Sequence, residues 1–525
     1  MKSQITNHTV VEKLKKIGQL FSPAAFIHDT EENILKMESL IRNQFIGGIT
    51  FFHSRYSAAA NFEKRQEKLS VENTLEKLHL LIQRYQKISN TPLLFSIDAE
   101  FGLAMRIENS PQYPYAISLG AMSENNVELV FETGFRIGKD LKQSGIHLNF
   151  APVADINTNP KNPVIGYRSF GKDRNKVSNF AIAMYQGMTS AGIGACYKHF
   201  PGHGDTDVDS HLGLPVINKN KSQLINEELY PFLEGINKGI DMIMVGHLAA
   251  PALSNGQHIP ASISKEIITG FLKKELGFKG IVVSDALNMK SVSNMFAEPG
   301  MLEWEAFNAG NDILCFSENV KEGIHMIDQK ADKKQIDESF QKIMQLKEKL
   351  GLHNQESFHF QGFDWDKHHA FNQQLTKEYI SVISDKSSPS GIHLDLENRK
   401  TALVSIYKEK DNPFFKGIDP KSLIPKFGIN QNQEFEFEKL DDFESVLIAL
   451  FVPSAKPVNH FGLELGLMKK VGEISENKKV ELYLFGTPLC LNDIPNLSNF
   501  HKIVCAYQDF EVVQIEAAQF FLEGK

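Results

Sequence analysis

Residues 280–287 read GIVVSDAL. Ile281 to Val283 are apolar without alternation, so a strand here has no face to give to water, and it ends on a carboxylate, Asp285. Seven other runs share this character: LFSPAAFIH (20–28), GGITFFH (47–53), PLLFSIDAE (92–100), IHLNFAPVADI (146–156), GIGACYKHF (192–200), MIMVGHLAA (242–250) and NDILCF (311–316). Helical stretches separate them, among them NNVELVFETGFRIGKDLKQSG (125–145) and KVSNFAIAMYQGMTSAG (176–192). Eight strands, each buried on both faces and alternating with helices, predict an α/β chain that opens with a (β/α)8 TIM-type barrel. A doubly wound open sheet is the alternative architecture. In a barrel the chemistry is expected at the strand C-termini.

The alternation closes with SFQKIMQLKEKLGL (339–352). The barrel is therefore expected over 1–355 and a connector over 356–380. A smaller C-terminal α/β sandwich domain is expected over 381–525, with strands in TALVSIY, SVLIALF, VELYLFG and KIVCAY. It carries no Gly-rich phosphate loop between a strand and a helix, and no solenoid repeat is present.

The 525 residues are 42% hydrophobic, enough for two buried cores, and the net charge of −8 comes without a basic block. Nucleic acid and anionic membrane are thus not expected partners. Four scattered cysteines without a CxxC pair point to free thiols, not a disulfide framework or zinc ribbon. With charges where a secretory h-region would lie and no long apolar span, a cytoplasmic protein is expected, or a periplasmic or exported one where a signal has been removed.

Seven of the eight strands end on polar side chains: His28, His53, Asp98, Asp155, Lys198 with His199, His247 and Asp285. Asp285, closing a strand this apolar, is a candidate nucleophile: a carboxylate held by neighbouring donors can attack an electrophilic carbon and form an ester. N-capping of the next helix is its plainer role. The segment KHFPGHGDTDVDSHLGLP (198–215) packs three histidines and three aspartates into a turn-rich stretch. As a metal site it would use His199, His203 and His211 with an aspartate, or His199, His247 and Asp312. The first strand, however, offers only FIHDT where such barrels carry an HxH pair, and Gly202 and Gly204 suggest a bending loop. As a proton-transfer device it would use Asp209 and His211 around Ser210. The aspartate then fixes the imidazole tautomer and raises its pKa, and the second ring nitrogen exchanges a proton.

KHFPGHGDTDVDSH closely resembles the signature of the β-N-acetylglucosaminidases of glycoside hydrolase family 3. IDAEFGLAMR (97–106), RSFG (168–171), MVGHLAAPAL (244–253), SDALNM (284–289) and AGNDIL (309–314) extend the match to about residue 350. The C-terminal domain is similar to that of the longer bacterial members. The resemblance implies Asp285 as nucleophile of a retaining mechanism, with His211 and Asp209 replacing the usual carboxylic acid/base. Asp98, Arg106, Arg168, Lys198 and His199 are implied to bind hydroxyls of the non-reducing sugar, with no metal and no organic cofactor. The implied substrate is a small carbohydrate bearing terminal β-linked N-acetylglucosamine, from peptidoglycan turnover. Phe101 replaces a usual glycine and Ala286 a common aspartate, which bears on aglycone contacts more than on chemistry. Rival readings are a family 3 glucosidase or phosphorylase of other sugar preference, a metal-dependent amidohydrolase-like barrel, and a catalytically inactive sugar-binding protein.

Overall fold

The computed structural model describes residues 11–54, 72–206, 213–354, 360–386, 394, 400–431 and 435–524. The chain divides into two compact units. The first comprises 1–113, 127–159 and 172–363, and the second 114–126, 160–171 and 364–525.

In the first unit all strands run parallel. β1 (Phe21–Ser22) and β2 (Ala24–His28) form one stave broken at Pro23, which has no N–H to give the ladder. β2 then pairs with β3 (Gly48–Ser54), followed by β4 (Leu94–Ile97), β5 (Leu148–Asn149) and β6 (Gly194–Ala195). β7 (Tyr197–Phe200) continues the β6 stave and pairs in turn with β8 (Met242–Val245) and β9 (Ile281–Ser284). A Val283–Ile313 bridge leads to β10 (Leu314–Cys315), and β10 pairs with β1. Among the described residues eight staves thus close into a ring, and each falls inside one of the eight apolar runs except β3, which passes the end of its run by Ser54. The helices between them include Glu31–Gln44, Thr74–Ile88, Val127–Gln143 and Arg174–Ser190. The last two cross at glycines: a Cβ on Gly134 would overlap the Met184 carbonyl, and one on Gly187 the Phe131 carbonyl. The barrel's strands are almost wholly buried, as their composition requires.

The second unit holds a six-stranded sheet in the order β11-β16-β15-β14-β12-β13. β12 (Thr401–Ile406), β14 (Ser445–Phe451), β15 (Lys479–Phe485) and β16 (Lys502–Cys505) coincide with the four expected strands. Two more occupy the edges: β13 (Lys426–Ile429), parallel to β12, and β11 (Ser381–Asp385), antiparallel to β16. Within the stretch read as a connector, Trp365–Tyr379 is a helix of this unit, N-capped by Asp364. All four cysteines are buried and free. Among the described residues no helix is long and apolar enough to cross a membrane.

Candidate active site

The polar side chains of the barrel collect where the strand order predicts, at the C-terminal ends. Asp98 follows β4, and its carboxylate receives Lys198 Nζ at 2.8 Å and Arg106 Nη2 at 3.5 Å. Lys198 lies within β7, and its side chain is only 2% exposed. A buried ammonium is costly unless paired, and here it bridges two carboxylates, with Glu100 Oε1 at 2.7 Å. Glu100 sits two residues beyond Asp98, in the turn that follows β4. The Arg106 guanidinium lies 3.9 Å from the centre of the Phe52 ring, which fixes its plane. Burial resists ionisation of Asp98, yet the Lys198 and Arg106 charges outweigh it and hold its carboxyl below the usual range. Asp98 therefore stays an acceptor throughout the neutral range.

A second network surrounds Asp155, which is wholly buried. It accepts the His199 ring Nδ1–H at 2.7 Å and the backbone N–H groups of His199 and His203 at 3.1 and 2.8 Å. Burial opposes its ionisation, but His199 and these donors keep its pKa below the ordinary value. Held in this way, His199 turns Nε2 away from Asp155. His203 donates Nδ1–H to Thr206 Oγ1 at 2.7 Å, because the Thr206 hydroxyl itself donates to the His203 carbonyl. Burial first, then the neighbouring His199, push the His203 pKa down to about 4, so its ring is neutral at pH 7.

Asp285 directly follows β9. Its N–H donates to the Val245 carbonyl, extending the β8–β9 ladder, and its Oδ1 accepts the Ala286 N–H at 2.8 Å. Its charge favours protonation of both His203 and His247, which puts it within electrostatic reach of the histidine cluster. Asp98 and Asp285 also both act on Cys315, the buried thiol of β10. The barrel thus brings together Asp98, Arg106, Lys198, His199 and Asp285. Arg168 belongs to the segment 160–171 of the second unit, where Nη1 donates to the Val164 carbonyl at 3.1 Å. Asp209 and His211 lie outside the described residues. The flanks of their segment are anchored: Lys219 pairs with Asp205 at 2.8 Å, with Glu227 at 2.7 Å and with the buried Glu228. Gly202 bends as expected, at φ 118°, whereas Gly204 serves close approach, since a Cβ there would overlap the Ile156 carbonyl.

The metal scheme of His199, His247 and Asp312 is not formed. Asp312 precedes β10 and binds the Val282 N–H, Ser339 and Lys342 at the opposite, N-terminal end of the barrel. His247 uses Nδ1 on Ser262 and Nε2 on the Ala286 carbonyl. Among the described residues, potential ligands gather in one group, His28, His53 and Glu108. There His28 is already engaged by Thr74 and Lys77.

Glu100 and Asp155 complete the site without having been assigned to it from sequence. Spacing alone offered a signal for Glu100, at i+2 from Asp98. Asp155 stood out as a strand-end carboxylate, but its partners lie 44 and 48 residues away.

The barrel mouth thus combines a strand-end carboxylate with a fixed lattice of lysine, arginine and carboxylate groups. The sequence profile of the glycosyl hydrolase family 3 N-terminal domain matches residues 13–347. The chain belongs to glycosyl hydrolase family 3. It is 36% identical over 291 residues to the β-hexosaminidase A of Pseudoalteromonas piscicida, covering 53% of this chain and 47% of that one. The chain thus spans about half the length of that curated relative. It is 34% identical over 243 residues to the β-hexosaminidase of Xylella fastidiosa strain M23, 45% of this chain and 71% of that one. A solved family 3 β-N-acetylglucosaminidase from Paenibacillus sp. str. FPU-7 superposes with a TM-score of 0.76 at 25% identity, covering 97% of this chain and 96% of that one.

Proposed function

We propose that the chain is a retaining exo-β-N-acetylglucosaminidase that acts on small peptidoglycan-turnover fragments. The observation that carries this reading is the Asp98–Lys198–Glu100 lattice, with Arg106 on Asp98, in the same barrel mouth as Asp285. Asp98 accepts hydrogen bonds from two sugar hydroxyls, and Arg106 and Lys198 donate to others. Asp285 attacks the anomeric carbon; its C–O ester bond forms as the glycosidic C–O bond breaks. His211 protonates the departing oxygen, then takes a proton from the water that hydrolyses the ester, and Asp209 orients the imidazole in both steps. The loop dyad enters from the family resemblance. The relatives' printed activities, β-hexosaminidase and β-N-acetylglucosaminidase, support the choice of sugar.

The test compares a chromogenic β-N-acetylglucosaminide with the matching β-glucoside, following the anomeric configuration of the product by NMR. The reading expects strong preference for the acetamido sugar and β product released first. Equal kcat/KM on the glucoside, or α product released first, would remove it.

A further inference from the structure

The second unit contains a cleft of about 310 Å³ that the barrel chemistry does not use. Its five parallel strands run β13-β12-β14-β15-β16 across the sheet, so the chain order reverses between β12 and β14. In open α/β sheets, ligands bind outside the strand C-termini at such a reversal. The cleft lies there: Tyr407 follows β12, Phe451 ends β14, Gly486 follows β15, and Tyr507 and Gln508 follow β16. Tyr407 and Tyr507 hold φ angles of 67° and 63°, a conformation that bulky side chains rarely adopt.

The lining has a definite chemistry. Gln508 is 3% exposed, and its Oε1 accepts the Tyr115 N–H at 3.1 Å and the Ser118 hydroxyl at 3.0 Å. Its Nε2 is buried without a hydrogen-bond partner among the described residues. A buried amide donor left unsatisfied costs stability, and Gln508 is one of the residues that line the cleft. Ser454, Thr487 and Gln431 add hydroxyl and amide groups, and no Lys, Arg or His lines the cleft among the described residues. Phosphate and carboxylate ligands are thereby disfavoured. The aromatic rings are not arranged for a flat base. Tyr115 and Tyr167 meet edge to face at 4.8 Å, and Phe451 and Phe485 already stack on each other at 4.6 Å, leaving no slot between rings. A pyranose suits this wall better, laying its C–H face on one ring while its rim of hydroxyls meets the amides. The volume is at the lower end of the ~300–1,000 Å³ typical of small-ligand pockets.

We propose that the C-terminal unit carries a ligand site of its own that binds a neutral saccharide at the C-terminal edge of its sheet. The proposal does not rest on the activity assigned to the barrel. It is tested on the full chain carrying Asp98→Ala and Asp285→Ala, titrated with chitotriose and with cellotriose and followed by saturation-transfer NMR. One or both sugars are expected to bind saturably. Ala455→Trp, which fills the cleft, should weaken that binding by at least about tenfold without moving the thermal midpoint. Gln431→Ala, at an exposed rim position, should weaken it in the same direction and guards against misfolding of the first variant. Absence of saturable binding by both sugars, binding unchanged in both cleft variants, or displacement by adenosine would overturn the proposal.

Discussion

Lys198 is the side chain on which the barrel mouth depends most. Its ammonium is buried between Asp98 and Glu100, so replacing it removes the cation that the two carboxylates share. Lys198→Met is predicted to cost about 3–5 kcal/mol, the usual penalty for breaking a buried pair, measured by urea unfolding at pH 7. In the same variant Asp98 loses the charge that most lowers its pKa. The acid limb of the kcat/KM profile should therefore move to higher pH. A variant as stable as the parent would show that the lattice is not charged as described. The residues of this lattice were partly legible in the sequence. Asp98 and Lys198 stood at strand ends, but their pairing spans 100 residues, and a single sequence does not tell which distant charges meet. Glu100 and Asp155 were visible as carboxylates and invisible as partners for the same reason.

At the level of elements, the strongest pattern was also the most reliable. Strands buried on both faces must be apolar throughout, so all eight barrel staves and the four inner strands of the second sheet were legible. The two strands that were not, β11 and β13, are edges. β11 is largely exposed, and β13 reads KFGI with a glycine inside it, so neither shows a continuous apolar run. Loops follow other rules. Gly204 was read as a source of bending, whereas its lack of a Cβ lets the stretch after β7 lie against Ile156. Gly204→Ala is predicted to push that stretch off the barrel and lower stability by about 1–3 kcal/mol, the range for overpacking. Turnover should fall more steeply than stability, because His203 and Asp205 move with it; thermal melts and kcat measured together decide this. An unchanged melting point with normal turnover would mean that the approach is loose.

Over the whole molecule, buried titratable groups set how the fold responds to acid. His203 has a folded pKa of about 4 against an unfolded value near ~6.5. Between those values the unfolded chain binds more protons, so stability falls as pH drops from ~6.5 towards 4. His203→Gln should flatten this slope by an amount on the order of 1–3 kcal/mol, read from urea unfolding at pH 7.5 and pH 4.5. Asp98 and Asp155, both lowered, hold their contribution further down and release it only below the ordinary carboxylate range. Acid should therefore weaken the protein in two stages, histidine first and carboxylate second. A single transition below pH 4, with no earlier decline, would contradict this ordering.

The central claim is that Asp285 forms a covalent bond to the sugar, and labelling tests it most directly. The protein is incubated with a fluorinated N-acetylglucosaminyl inactivator whose deglycosylation is slow, then digested and mapped by mass spectrometry. The account predicts one added sugar per chain, on the peptide that contains SDALNM and on the Asp285 carboxylate. Label on another residue, or undiminished turnover by Asp285→Ala, would contradict it.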